Sequence, residues 1–172
     1  MKKILFVLAI TSVFSGLKGV HAQSVDGAVR IGAQVGYGTD IESFGIGARG
    51  DYAISPSILL APDFMYYFGR SDFGFETNWF DINLNGNYLI EINNPDLVPY
   101  ALAGLNVAVT SLKCNEILGT LCNETDNTEI GLNLGGGMDY SVGTFILFSE
   151  LRVVIGGASQ VVIATGIKFP LN

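Results

Sequence analysis

Histidine is almost absent from this sequence, since its one copy, His21, lies within the first 22 residues. Charged residues make up only 15% of the chain, and there are two cysteines. Beyond residue 22 no apolar run reaches the roughly 20 residues of a membrane-spanning helix, and no stretch repeats apolar residues every 3.6 positions. The sequence therefore predicts neither a helical membrane protein nor catalysis by an imidazole general base near neutral pH.

The first 22 residues have the layout of a secretory signal peptide. Lys2 and Lys3 give a positively charged start, an apolar run follows from Ile4 to Gly16, and Val20-His21-Ala22 supplies small residues before a cleavage site. The alternative is an anchoring helix, for which this run is short. We predict a signal peptide at residues 1–22 and an exported domain at residues 23–172.

Cleavage would change the charge balance of the protein. It would remove three of the nine basic residues and none of the sixteen acidic ones, which leaves a net charge of −10. An acidic chain of this kind is not expected to bind nucleic acid. About 150 residues is the length of one domain.

The rest of the chain alternates apolar with polar or small residues, which is the period of a β-strand. The clearest segment sets Phe80, Ile82, Leu84, Tyr88 and Ile90 against Asp81, Asn83, Asn85 and Asn87. Eight such segments of about 10–12 residues can be traced, and a tilted strand needs about 9–11 residues to cross a bilayer. We predict that residues 23–172 form an eight-stranded antiparallel up-and-down transmembrane β-barrel domain in the outer membrane.

The predicted connections differ between the two ends of this barrel. Polar loops are expected at residues 70–77 and 111–128, whereas the turns after the second, fourth and sixth strands are compact. Outer-membrane barrels carry short turns on the periplasmic side, where an even strand count also puts both termini. Two features are less regular: Pro62 predicts a bulge in the third strand, and the first half of the fifth strand is ambiguous in phase.

The polar face indicates which side of the sheet faces inward. It carries small residues and charges of both signs, which we predict to form a lumen charge network: Arg30, Arg49, Asp51, Asp63, Asp81, Asp139, Glu150, Arg152 and Lys168. Opposite charges suit a narrow lumen because a buried ion needs a partner. The alternative is a soluble barrel with the apolar face inward, but a water-facing surface would carry more Lys and Glu. Candidates for interfacial aromatic girdles are Tyr37, Tyr52, Phe68, Tyr88, Phe145 and Phe169, although β-propensity alone also places aromatic residues in strands.

Three segments carry a family resemblance. They are residues 30–37 (RIGAQVGY), residues 99–104 (PYALAG) and residues 149–152 (SELR). With the signal peptide, they resemble the small outer-membrane barrels of the OmpX, OmpA and opacity type. The resemblance implies a porin-like barrel in outer-membrane lipid. It departs from that family at the end of the chain, where Phe169 is followed by Pro170-Leu171-Asn172 instead of ending the sequence.

Cys114 and Cys122 lie in the polar segment 111–128, and in an exported protein they predict a disulfide that closes a local loop. The alternative is two free thiols. Such a bond would stabilise the loop by roughly 2.5 kcal/mol in the chain-entropy model. The segment also offers candidate surface-interaction residues: Glu116, Ile117, Leu118, Leu121, Glu124 and Asp126. The alternative for these residues is a solvated loop that caps the barrel.

The predicted function is therefore a structural or adhesion-like surface role without catalysis, cofactor or metal, in a monomer with a host or cell-surface partner at the loop. The carboxylate pairs Asp81/Asp139 and Glu150/Asp51 are alternatively an acid and a base, but we interpret them as ion-paired with Arg49 and Arg152. A small porin or solute channel is the alternative function, although eight strands enclose little more than their own side chains.

Overall fold

The structure, a computed structural model, describes residues 26–72, 75–114, 125–157 and 159–171. These residues form eight strands: β1 (Val29–Gly38), β2 (Ser43–Ser55), β3 (Ile58–Asp72), β4 (Phe75–Leu89), β5 (Leu97–Cys114), β6 (Thr125–Val142), β7 (Phe145–Gly156) and β8 (Gln160–Leu171). Each strand pairs antiparallel with the next, and β8 pairs with β1, so the sheet closes. The prediction of an eight-stranded up-and-down barrel is confirmed.

The period-two pattern sorts the residues between two environments. Outward-facing aliphatic side chains such as Ile31 and Leu132 are half exposed, while their neighbours Arg30 and Asn133 are buried inside the barrel. This is the reverse of a soluble barrel, whose apolar side chains fill the interior. The exposed apolar band is suited to lipid, and the polar face fills the lumen. No helix in the described ranges is long and apolar enough to cross a membrane.

The two ends of the barrel are closed by different sets of apolar side chains. At the end that holds both termini, Ala53, Leu59, Leu89, Tyr100 and Leu102 form a buried cluster. At the opposite end, Met65, Tyr67 and Ala164 pack beneath the half-buried Ile41 and Trp79. By the outer-membrane arrangement, the terminus-bearing end is periplasmic and the opposite end is extracellular. Polar side chains occupy the space between the two clusters.

The predicted loops at the extracellular end are shorter than the sequence indicated. Strands β3 and β4 remain paired up to Asp72 and Phe75, and β5 and β6 pair up to Leu112 and Thr125. Strands therefore occupy residues 70–72 and 75–77 of the expected loop 70–77, and residues 111–114 and 125–128 of the expected loop 111–128. The strands are 10 to 18 residues long, because pairing continues beyond the region where lipid imposes an apolar face.

Two local features that the sequence singled out are the expected bulge at Pro62 and the first half of β5. The bulge expected at Pro62 is absent: Pro62 stands opposite Leu84 without a change of register, and the irregularity of β2 and β3 lies between Ala53 and Ser55. Pro62 faces outward. The ambiguous first half of β5 has Tyr100 and Leu102 inside and Ala101 and Ala103 outside.

Aromatic side chains of the outer face lie near both ends of the barrel. Tyr52, Tyr88 and Phe169 are about half exposed near the periplasmic end, and Phe68 is equally exposed near the extracellular end. The ring of Phe169 lies 6.5 Å from that of Phe145. Strand β8 continues past Phe169 to Leu171, and Pro170 stands opposite Arg30. The two residues after Phe169 are thus part of the barrel wall.

Candidate functional site

All nine charged residues of the predicted lumen network face inward, and each is at most 6% exposed. They comprise five acids and four bases, and they are the buried charged side chains among the described residues. Because an isolated buried ion is costly, each of these groups needs a partner within the lumen. We describe the interior as a periplasmic cluster, a central pair, an amide layer and an extracellular polar group.

The periplasmic cluster consists of six residues: Arg30, Arg49, Asp51, Asp139, Glu150 and Lys168. Lys168 on β8 connects its two sides, because its Nζ lies 2.7 Å from Asp51 Oδ2 on β2 and 2.7 Å from Asp139 Oδ2 on β6. Arg30 Nη1 adds a longer contact of 3.4 Å to Asp139 Oδ2. The ammonium of Lys168 therefore joins strands that are distant in sequence across the lumen.

Arg49 joins the other carboxylates of this cluster. Its Nε lies 3.1 Å from Asp51 Oδ1 and its Nη1 lies 2.6 Å from Glu150 Oε2. The Tyr100 hydroxyl also donates to Glu150 Oε2, at 2.8 Å. Gly137 makes this approach possible, since a Cβ there would lie 2.5 Å from the Tyr100 hydroxyl oxygen. The glycine-rich inner face thus makes room for long polar side chains.

Two aromatic rings lie among these charges. The Phe148 ring centroid lies 4.9 Å from the Arg49 guanidinium carbon and 5.1 Å from Lys168 Nζ. The Tyr100 ring lies 5.9 Å from each of the same two groups. Such cation–π contacts stabilise a desolvated cation by roughly 0.5–2 kcal/mol. The cluster therefore has aromatic faces as well as carboxylates around its cations.

The central pair is Asp63 with Arg152. The guanidinium donates to both carboxylate oxygens, from Nη1 at 2.9 Å and from Nη2 at 3.3 Å. Asp63 also accepts hydrogen bonds from the side-chain amides of Gln34, Asn83 and Asn85, at 3.0 to 3.2 Å. Several donors on one carboxylate hold it in one orientation. Arg152 Nη1 lies 3.5 Å from Glu150 Oε1, which links the pair to the periplasmic cluster.

An amide layer adjoins this pair, since Asn83 and Asn85 also donate to Asp63. The side chain of Asn133 donates to Asn83 Oδ1 and Asn85 Oδ1, both at 2.8 Å, and Asn106 also donates to Asn83 Oδ1 at 2.8 Å. The main chain of Gly104 runs against Asn85, where a Cβ would collide with the Asn85 side chain. The asparagines on β4, β5 and β6 therefore bond to one another across neighbouring strands.

The extracellular polar group contains the carboxylate that has no cation. Asp81 is fully buried and accepts hydrogen bonds from Trp79 Nε1 at 2.9 Å and from Gln160 Nε2 at 3.2 Å. Within the described part of the chain it forms no ion pair. The expectation that Asp81 pairs with Arg49 or Arg152 was wrong, because those guanidiniums are already bound to Asp51, Asp63 and Glu150.

The two carboxylate pairs that the sequence offered as an alternative acid and base can be compared with their contacts in the structure. Glu150 and Asp51 share Arg49, which holds each of them in an ion pair. Asp81 and Asp139 do not meet, because Asp139 is bound to Lys168 in the periplasmic cluster and Asp81 to Trp79 in the extracellular group. In the described ranges, no three His, Cys, Asp or Glu side chains come together as they would around a metal ion.

Most of the predicted surface-loop residues lie outside the described residues. This applies to Glu116, Ile117, Leu118, Leu121, Cys122 and Glu124, and therefore to the predicted disulfide, of which only the main chain of Cys114 is described. The predicted signal peptide at 1–22 is also outside them. Asp126 is described and is an exposed residue of β6.

The predicted lumen network was limited to charged residues and left out the uncharged polar and aromatic members of the interior. They are Gln34, Asn83, Asn85, Asn106, Asn133 and Gln160, together with the rings of Tyr100 and Phe148. The alternation of β4 with Asp81, Asn83, Asn85 and Asn87 did place its asparagines inside. A search for every polar residue on the inner face, instead of charged residues alone, would have found the amide layer.

Comparisons with known proteins agree with this architecture. A family model described as outer membrane protein beta-barrel domain matches residues 6–149. Among solved structures, the N-terminal β-barrel domain of Pseudomonas aeruginosa OprF is similar at a TM-score of 0.65 and 18% identity, over 85% of this chain and 98% of that one. Neisserial surface protein A is similar at a TM-score of 0.58 and 17% identity, over 83% and 95% of the two chains.

A third similar structure is Ail, the attachment invasion locus protein of Yersinia pestis, in complex with the heparin analogue sucrose octasulfate. The TM-score is 0.61 and the identity 12%, over 86% of this chain and 100% of that one. At these identities the structural likeness shows the fold alone. No curated protein matches the sequence.

The family model covers most of the chain, and β8, which lies beyond the matched residues, closes the same barrel. The exposed apolar band and the filled polar lumen are those of a barrel in the outer membrane. The chain therefore belongs to the outer membrane protein β-barrel domain family.

Proposed function

We propose that this protein is a monomeric surface-interaction protein of the outer membrane that acts through its extracellular end and has no catalytic or transport role. The observation that carries the proposal is the filled lumen. Side chains of the periplasmic cluster, the central pair and the amide layer bond to one another across the barrel, with exposures near zero. A lumen packed in this way favours a function at the surface of the barrel.

The charge of the extracellular end indicates the chemistry of the partner. In sequence, the segments 39–42, 69–79, 110–129 and 156–160 contain eight acidic and two basic residues. Among described side chains of this end, Asp40 and Asp126 are exposed and Glu129 is half-buried at the rim. Electrostatic complementarity speeds association with a surface of opposite sign. We therefore propose a cationic partner, in contrast to the anionic heparin analogue in the Ail complex.

The test compares two triple variants of the protein in nanodiscs. Glu116→Gln, Glu124→Gln and Asp126→Asn neutralise the extracellular segment 111–128, and Asp26→Asn, Glu91→Gln and Asp96→Asn neutralise the same number of acids outside it. Binding to a polylysine-coated surface should weaken by about tenfold or more in the first variant and change little in the second. Equal weakening in both variants, or tighter binding to heparin than to polylysine, would contradict the proposal.

A second experiment asks whether the segment itself is needed. Removing residues 113–123 should abolish attachment of expressing cells to a cell or matrix surface, while the barrel keeps its heat-dependent mobility shift on gels. Unchanged attachment and unchanged envelope integrity would refute the adhesion role of this segment.

Planar-bilayer recording distinguishes the surface role from the alternative of a small porin. A lumen filled by bonded side chains should give no stable open steps. Reproducible steps of one size would favour a solute channel instead.

The closed sheet supports the proposed monomer, because every strand is paired on both sides and none offers an edge to a second copy. Native mass spectrometry of the protein released from detergent should show one chain, and a dominant dimer would contradict this part of the proposal.

A further inference from the structure

The apolar band on the outer face of the barrel contains a groove. On four neighbouring strands, one row of outward residues runs from β8 through β1 and β2 to β3, and it consists of Ile167, Ala33, Ala48 and Phe64. The two alanines leave a low strip between two large side chains. Because neighbouring strands are about 4.8 Å apart, the main chains that carry the two large residues are separated by roughly 14 Å. The strip has room for a hydrocarbon chain.

The groove has a volume of about 740 Å³ and an almost entirely apolar lining. Phe64 and Tyr66 form one wall, and the ring of Phe80 packs against both, with centroid distances of 6.0 and 4.9 Å. Leu147 and Ile167 form the opposite wall, where they stand opposite each other on β7 and β8 and are both half-buried. Neighbouring side chains thus support each wall. A ligand would find the groove already formed, which lowers the cost of binding.

Two hydroxyl groups at the groove are already hydrogen-bonded. The Thr165 hydroxyl donates to the Phe148 carbonyl oxygen at 2.7 Å, and the Tyr66 hydroxyl donates to Asn78 Oδ1 at 2.9 Å. An apolar ligand can therefore cover this surface without leaving either hydroxyl donor unpaired, which would otherwise be costly. The chemistry of the lining favours a hydrocarbon ligand.

The position of the groove on the wall identifies the hydrocarbon. The groove is continuous with the exposed apolar band, which faces lipid in the outer membrane. On its extracellular side stand Tyr37 and Phe44, whose ring centroids are 5.0 Å apart, and on its periplasmic side stands Phe169. Aromatic residues of the outer face lie at the two membrane interfaces. The groove between them is therefore at the depth of the acyl chains.

The groove opens toward the extracellular leaflet. Tyr66 stands opposite Phe80 on β4, and its hydroxyl bonds Asn78, which is two positions nearer to the extracellular end of that strand. The Tyr66 ring thus has its apolar part along the groove and its polar end toward the head groups, as is usual for an interfacial tyrosine.

We propose that the groove holds one acyl chain of a lipid from the extracellular leaflet, lying lengthwise between the two walls. A chain on a flat part of the barrel wall contacts protein on one side, whereas a chain in the groove contacts the floor at Ala33 and Ala48 and both walls. The larger number of dispersion contacts retains it longer than its neighbours. The site lies on the barrel wall, so it does not depend on the proposed surface role.

The experiment uses two photoactivatable lipids with the full chain folded in phosphatidylcholine vesicles. Each lipid is a phosphatidylcholine with a diazirine on one acyl chain, either near the ester or near the terminal methyl group. Mass spectrometry of peptides locates the labelled residues after irradiation. We expect the ester-end probe to label Val35 and Ile46, and the methyl-end probe to label Ala33 and Ala48. Labelling of the groove should exceed that of the outward residues of β5 and β6 by about fivefold or more.

Two variants test whether the shape of the groove is responsible. Ala48→Phe fills the floor and should reduce labelling of the groove by about fivefold or more, to the level of the remaining wall. The matched control is Ala103→Phe, which places the same side chain at an outward position of β5 and should leave labelling of the groove unchanged. The heat-dependent mobility shift on gels verifies that each variant is a closed barrel.

Four results would overturn the proposal. Equal labelling of the groove and of the β5–β6 wall would show ordinary lipid contact without a site, and this comparison needs no variant. Exchanged positions of the two labels would place the chain in the periplasmic leaflet. A groove that neither probe labels, in a protein that runs as a dimer, would show that a second copy covers it. A loss of labelling in Ala103→Phe as large as in Ala48→Phe would remove the role of the groove.

Discussion

The periplasmic and extracellular halves of the lumen compensate buried polarity in different ways. In the periplasmic half, Lys168 and Arg49 each contact two carboxylates. The Phe148 ring lies 4.9 Å from the Arg49 guanidinium carbon and 5.1 Å from Lys168 Nζ. Toward the extracellular end, asparagine side chains bond to one another, and the carboxylate of Asp81 accepts from the neutral donors Trp79 and Gln160. One alternating pattern of inward polar residues therefore produces an ionic region and an amide region.

The difference affects what each half tolerates. A network of ion pairs becomes strongly destabilised when one member is removed, because its partner is left buried and charged. A network of neutral amides loses less, since an unsatisfied amide costs roughly 1–3 kcal/mol. Substitutions of buried polar residues should therefore lower the free energy of unfolding most at the periplasmic end of the lumen and least at the extracellular end.

The largest effect is expected at the centre of the ionic half. Lys168→Met removes the cation shared by Asp51 and Asp139, and should lower the free energy of unfolding by about 3–5 kcal/mol. The measurement is a urea titration of the protein folded in lipid vesicles. Arg30→Met is the matched control, because Arg30 makes a single contact of 3.4 Å to Asp139 and should cost about 1 kcal/mol. Equal losses would contradict the bridging role of Lys168.

A smaller effect is expected in the amide layer. Asn133→Leu removes the donor to Asn83 and Asn85 and should lower the free energy of unfolding by about 1–3 kcal/mol. Asn127→Leu, at an exposed position of the same strand, should stay within about 0.5 kcal/mol of the wild type. A loss at Asn133 as large as that at Lys168 would remove the distinction between the two halves.

The smallest effect is expected where a carboxylate keeps another donor. Tyr100→Phe removes one hydrogen bond to Glu150, which retains Arg49, so the same titration should show a loss of about 1 kcal/mol. Tyr88→Phe on the lipid-facing side serves as the control and should be near neutral. A loss above about 3 kcal/mol would mean that the hydroxyl and not Arg49 holds Glu150 in place.

The sequence predicted the inward and outward faces of the strands because lipid on one side and a polar lumen on the other impose a strict period of two. The phase was left open at the start of β5, where Tyr100 and Leu102 face an apolar cluster inside and Ala101 and Ala103 face lipid. With apolar residues on both faces, no alternation remains to be detected. The extended pairing of β3 with β4 and of β5 with β6 was missed for a related reason, since strand residues outside the bilayer have no lipid face.

The members of the charge network could be predicted, but their partners could not. Asp63 and Arg152 are 89 positions apart, and they meet only because of the register and tilt of the strands, three of which lie between β3 and β7. A shift of two residues in any one pairing would give each carboxylate a different cation. Asp81 shows the consequence, since its inward position was evident from the sequence and its lack of a cation was not.

Two isosteric substitutions separate the two halves of the lumen by the way in which each compensates buried charge. Asp51→Asn and Asp81→Asn each remove one buried carboxylate, and both proteins are unfolded by urea in lipid vesicles. We expect the free energy of unfolding to fall by about 3 kcal/mol for Asp51→Asn, which leaves Lys168 and Arg49 undercompensated, and by less than about 1 kcal/mol for Asp81→Asn, which breaks no ion pair. Equal losses for the two variants would contradict the difference between the two halves.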